Sequence, residues 1–117
     1  MVKKKTCVFI SGQGTNLKNL IYRSRDYNFP INIKLVISNK TDSKGILYSK
    51  INSIPFIFVN TKLRNYENLI FQNLKKHEIN FICLAGYMKI ISKKFIKKFR
   101  YPIINIHPSL LPKFKGL

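Results

Sequence analysis

The 117 residues are 45% apolar, enough for one globular domain with its own core, which is the organisation expected over residues 1–117. Lys and Arg number 22 against 4 Asp and Glu, a net charge of +18 that suits anionic ligands, but the cations form neither a tail nor a recognition motif, so nucleic acid is not the expected partner. No apolar run approaches the about eighteen residues of a membrane span, and only a short apolar stretch separates the basic amino terminus from a polar glycine loop, which reads against a signal peptide and for a cytoplasmic protein.

The first strand-length apolar run covers residues 7–10. Ser11-Gly12-Gln13-Gly14-Thr15-Asn16 follows it and opens a segment where Leu17, Leu20 and Ile21 recur at helical spacing. A glycine turn between a buried strand and a helix is where backbone amides and the positive helix end converge on an anion, and the Thr15 hydroxyl and Asn16 amide add donors. Leu17 stands where a dinucleotide fingerprint has its third glycine, and no Gly-Lys-Ser/Thr follows to make a nucleotide-triphosphate loop. A phosphate cradle and a plain strand-to-helix turn both remain open here.

A second run at 31–37 is followed by Thr41-Asp42-Ser43, cap chemistry for a short helix over residues 45–51. After the third run, 56–59, the spacing of Tyr66, Leu69, Ile70 and Leu74 predicts another helix, whose polar end carries His77, read as a histidine bonded to a backbone carbonyl. The fourth run is 81–84. Beyond it Ser92 can cap a helix bearing Phe95, Ile96 and Phe99, with Lys93, Lys94, Lys97 and Lys98 as a solvated opposite face in preference to a membrane or nucleic-acid surface. Cys7 and Cys83 lie inside strand runs without metal-ligand spacing and read as reduced core thiols; no metal is expected. Strands that alternate with helices and are apolar along their length define an α/β fold, an open, mostly parallel sheet with helices on both faces.

The fifth run, 103–106, ends in Asn105-Ile106-His107-Pro108-Ser109-Leu110-Leu111-Pro112. Residues two apart on a strand share a face, so Asn105 and His107 project together while Ile106 points to the core. Carboxyl ends of strands in open α/β sheets are where ligands bind. An imidazole that titrates near ~6.5 and an amide that donates to a developing oxyanion suit acyl or formyl transfer. A histidine that merely bonds a backbone carbonyl is the plainer alternative.

Three ordered motifs, Ser11 to Asn16, Leu84-Ala85-Gly86-Tyr87-Met88-Lys89-Ile90-Ile91, and Asn105 to Gly116, together resemble the folate-dependent glycinamide ribonucleotide formyltransferases, over essentially the whole chain. The resemblance implies a Rossmann-like formyltransferase fold and formyl transfer from 10-formyltetrahydrofolate, the cosubstrate, to the amine of 5-phosphoribosylglycinamide in purine biosynthesis, without a metal. It assigns Gly14, Thr15 and Asn16 to the substrate phosphate. Met88, Lys89, Ile90 and Ile91, with Asn105, fall to the folate pocket, and Asn105 and His107 to the catalytic pair. Arg64 is given to the folate as well, one position after Leu63, where counting back from the 84–89 motif puts the family's arginine. Lys89 replaces a usual arginine, which keeps the charge and loses bidentate hydrogen bonding.

The family carries an aspartate that pairs with the histidine, beyond the catalytic motif. Here Asp26, Asp42, Glu67 and Glu78 all precede Asn105. The chain therefore reads as the amino-terminal part of that fold, a fragment or a decayed gene product, inactive by itself and with an uncovered strand edge. Methionyl-tRNA formyltransferase shares the Asn-x-His signature but differs in the first loop, and formyltetrahydrofolate deformylase normally has an extra domain before the first strand. A noncatalytic basic nucleic-acid-binding module is the alternative from another class.

Overall fold

The structure is a computed structural model that describes residues 2–12, 14–41 and 44–106. Within them strands and helices alternate as β1 (Lys4–Ile10), α1 (Thr15–Ser24), β2 (Ile31–Ser38), α2 (Lys44–Ile51), β3 (Phe56–Phe58), α3 (Tyr66–Lys76), β4 (Phe81–Leu84), α4 (Lys93–Phe99) and β5 (Ile103–Asn105). All pairings are parallel, in the order β3-β2-β1-β4-β5. The α/β class and the sheet expected from the alternation are both found.

Burial explains why the strands read as they do. β1 is flanked by β2 and β4 and covered on both faces, so Cys7, Val8, Phe9 and Ile10 are all fully buried. Leu17, Leu20 and Ile21 of α1 pack with Val8, Ile10, Val36 and Cys83 on one face, where Tyr48 of α2 joins them. Ile70 and Leu74 of α3 and Phe95 and Phe99 of α4 pack with Cys7, Phe9, Leu35, Ile37 and Ile82 on the other. Each such side chain taken from water contributes about 1.5–3 kcal/mol.

One irregularity sets the register. Thr6 pairs with Ile33 and Cys7 with Leu35, so Lys34 is an extra residue in β2. Ile31 and Ile33 face α1, and the extra residue turns Leu35 and Ile37 to the opposite face. β1 begins at Lys4, earlier than the apolar run suggests, because exposed Lys4 and Lys5 extend it at the amino end. β3 and β5 stop one residue short of their apolar runs.

The helix ends follow the expected chemistry where they are described. Ser92 Oγ accepts from Phe95 N–H at 3.0 Å and donates to Glu67 Oε1 at 2.6 Å, while Ser92 N–H bonds the other carboxylate oxygen at 3.2 Å. Glu67 thus ties the start of α4 to the first turn of α3. His77 closes α3, its Nδ1 lying 2.9 Å from Asn73 O, the plain backbone role expected for it. Asp42 and Ser43, the proposed cap of α2, lie outside the described residues. Cys7 and Cys83 are free and buried; burial pushes the Cys83 thiol up to about 12 and raises that of Cys7 well above its ordinary value.

Candidate active site at the carboxyl ends of the strands

The chain leaves β1 toward β2 and β3 on one side and later returns to β4 on the other, so loops diverge between the carboxyl ends of β1 and β4, the position where open α/β sheets bind ligands in a crevice. Ala85 N–H donates to Phe9 O at 2.9 Å and Ile106 N–H to Leu84 O at 2.9 Å, which carries the parallel pairing up to the rim of this end.

On the β1 side, Gly14 has φ +78, a conformation that L side chains rarely adopt. A Cβ there would also lie 2.7 Å from the Cα and N of Gly45 in α2, so the loop is pressed against that helix. Gly14 O accepts the first helical bond of α1, from Lys18 N–H at 2.9 Å. A glycine in the capping position has no side chain to offer the leading amides, and the first turn contains no acidic residue. Those amides and the positive helix end therefore suit an anion. Thr15 is exposed and Asn16 half-buried beside them.

On the β4 side, Gly86 takes φ +73 and turns the chain into residues 88–91. Met88 is 78% and Ile90 88% exposed, large apolar side chains with no protein cover, while Ile91 packs against the core. Exposed apolar side chains at a crevice suit a flat, partly aromatic ligand. The Lys89 ammonium stands 5.8 Å from the centre of the Tyr66 ring. Tyr87 packs edge-on against Phe9 with ring centres 5.3 Å apart; burial, with Tyr66, Glu67 and Cys7 nearby, raises its phenol well above the ordinary range.

Asn105 closes β5 opposite Leu84 and is exposed. Ile106 packs into the core on the α1 face, as its position in the motif predicts, so Asn105 belongs to the other face. His107 lies outside the described residues. Arg64 is exposed just ahead of α3 and lines a cleft of about 180 Å³ with Tyr66, Glu67, Lys94 and Lys98. Tyr66, in the same cleft, is also the ring beneath Lys89.

Two side chains given no role by the sequence bind these parts together. Ser11, 1% exposed, donates its hydroxyl hydrogen to Asn39 Oδ1 at 2.5 Å and accepts from Met88 N–H at 2.8 Å. Ile10 pairs with Ser38, so Ser11 and Asn39 are neighbours one step beyond β1 and β2. The signal for this pair is register, two small polar residues at equal offsets past paired strands, and register is not visible in the residues alone. Among the described residues no group of three or more His, Cys, Asp or Glu side chains converges as metal ligands would.

The formyl transferase family model matches residues 4–117, and the chain belongs to that family. Among its relatives is the phosphoribosylglycinamide formyltransferase of Haemophilus influenzae, 43% identical over 97% of this chain and 56% of the relative. The human trifunctional purine biosynthetic protein adenosine-3 is 40% identical over 97% of this chain and 12% of its own length. The crystal structure of phosphoribosylglycinamide formyltransferase from Brucella melitensis superimposes with a TM-score of 0.85 at 35% identity, covering 98% of this chain and 62% of that one. The chain thus spans a little over half the length of the Haemophilus relative.

Proposed function

We propose that this chain carries the acceptor loop, the formyl-donor segment and the Asn-x-His strand end of an enzyme that moves a formyl group from 10-formyltetrahydrofolate to the amine of 5-phosphoribosylglycinamide in purine biosynthesis. The observation that carries the reading is the junction of two unlike ligand surfaces at one crevice. An anion-seeking helix start at Gly14, Thr15 and Asn16 faces the end of the sheet where an apolar, cation-flanked strip runs from Met88 through Lys89 and Ile90 to Ile91. The first suits the phosphate of the acceptor, the second the ring system of the folate, and Arg64 supplies a further cation for its acidic tail.

In this reading the acceptor amine attacks the formyl carbon, and the carbonyl electron pair moves to oxygen. The Asn105 amide and the His107 imidazolium donate hydrogen bonds to that oxyanion. Collapse re-forms the carbonyl, breaks the bond to the folate nitrogen, and passes the proton lost by the amine to that departing nitrogen, with His107 in the relay. The chemistry is acid–base and electrostatic, with no metal in any step. Its two ligands are soluble metabolites, and in this reading the reaction is cytoplasmic with neither membrane nor nucleic acid as partner.

The test follows isotopic formyl from 10-formyltetrahydrofolate into 5-phosphoribosylglycinamide. Transfer by the protein that collapses in His107→Ala supports the reading. Salt-sensitive nucleic-acid binding that survives His107→Ala, with no stabilisation by either substrate, would sink it.

A further inference from the structure

The hydroxyl of Ser11 spends its one hydrogen on Asn39 Oδ1 and a lone pair on Met88 N–H, with almost no access to water. Its partners are not equivalent. Asn39 follows β2 and is held independently, its own N–H reaching Ile10 O at 3.4 Å. Met88 lies in a segment whose side chains at 88, 89 and 90 are exposed. Among the described residues, its N–H is the one main-chain donor between Ala85 and Ser92 that makes a hydrogen bond. The contact spans 77 positions of sequence and links the strand that launches the glycine loop to the strip that follows β4.

We infer that Ser11 is a positioning residue: its buried hydroxyl sets the main chain at Met88, and so the formyl-donor side of the crevice, relative to the acceptor loop at Gly14. This rests on the function proposed above. The glycine loop has its own support in the contact between Gly14 and Gly45, so loss of the hydroxyl acts unequally on the two ligands. Ser11→Ala leaves Met88 N–H without its acceptor and lets the donor strip drift, while the phosphate loop stays in place. Only a small side chain with both a donor and an acceptor meets the two bonds in this space, which leaves threonine as the conservative replacement.

Steady-state kinetics of Ser11→Ala, with its melting temperature, test this. The expected result is a KM for 10-formyltetrahydrofolate raised about 3- to 10-fold, the worth of one neutral hydrogen bond, with the KM for 5-phosphoribosylglycinamide changed by less than about twofold. Amide hydrogen exchange at Met88 should quicken while that of Leu17 and Leu20 holds, and Ser11→Thr should recover the folate KM. If Ser11→Ala does not fold, Asn39→Ala, which removes the acceptor that orients the hydroxyl, should move the folate KM in the same direction by less. Equal rises in both KM values with a lowered melting temperature, or no change in either, overturn the inference. Absence of wild-type turnover together with absence of tetrahydrofolate binding strikes instead at the functional reading and takes this inference with it.

Discussion

At the carboxyl ends of the strands, Ser11, Asn39 and Met88 are joined by two short hydrogen bonds and Gly14 rests on the backbone of Gly45. At the amino ends, Lys5, Lys75, Lys97, Lys98, Arg100 and Tyr101 surround a cavity of about 1000 Å³, where Lys5 and Glu78 form a 3.6 Å ion pair open to solvent. The second region is an open cavity lined by flexible cations, and the first has directed donors held by buried contacts. Exposed ammonium groups on long flexible stems are screened and entropically free, so they attract anions without fixing one. Chemistry needs fixed geometry, which is the property of the carboxyl end and not of the amino end.

The largest effect that tests this contrast is expected at Asn105. Asn105→Ala should lower kcat for formyl transfer about 10²- to 10³-fold, as loss of one oxyanion donor does, with little change in the urea midpoint because the side chain is exposed. Next comes Gly14→Ala, which combines a strained φ with a 2.7 Å overlap on backbone that cannot yield. A destabilisation of about 2–4 kcal/mol is expected in urea unfolding, with a weakened hold on 5-phosphoribosylglycinamide.

Between the two ends sit the thiols of Cys7 and Cys83. Their folded pKa values lie above the unfolded one, so the folded state keeps protons that the unfolded state gives up. The associated stability is intact below about pH 9, the ordinary thiol value, and is lost as pH climbs toward about 12. Urea midpoints measured from pH 7 to 10.5 should fall, and Cys83→Ala should flatten the fall; an unchanged slope would contradict the burial of that thiol. The smallest effect belongs to the amino end. Lys75→Ala removes an ammonium 5.8 Å from the centre of the Phe71 ring and should cost about 0.5–1 kcal/mol at most, with formyl transfer unaltered. A drop in turnover there would erase the contrast between the ends.

The elements that were plain in the residues are those whose signal is local. Five apolar runs became five strands because the inner ones are buried on both faces, and the Ser92 cap is formed as its position three residues before Phe95 suggests. Lys4 and Lys5 hid the start of β1, since a strand can begin in solvent when its neighbour, here β2, supplies the ladder. The turn between β1 and α1 was legible from its glycines, and the structure adds the reason Gly14 is needed, a helix from elsewhere in the chain pressed against it. Ser11, Asn39 and Glu67 were not legible as connectors. Each acts across 25 residues or more, and no local pattern of residue types encodes a partner that distant. Counting from the 84–89 motif falls on Leu63, one position before Arg64, and the cleft that Arg64 lines is shared with Lys94 and Lys98.

β5 pairs with β4 along one side, and Ile104 on its α1 face is 43% exposed. Among the described residues no strand pairs with the other side of β5, and one laid there would run immediately beside Ile104 and Asn105. Strand pairing at that margin and access to the Asn105 amide would therefore be coupled, because both involve the same edge of β5.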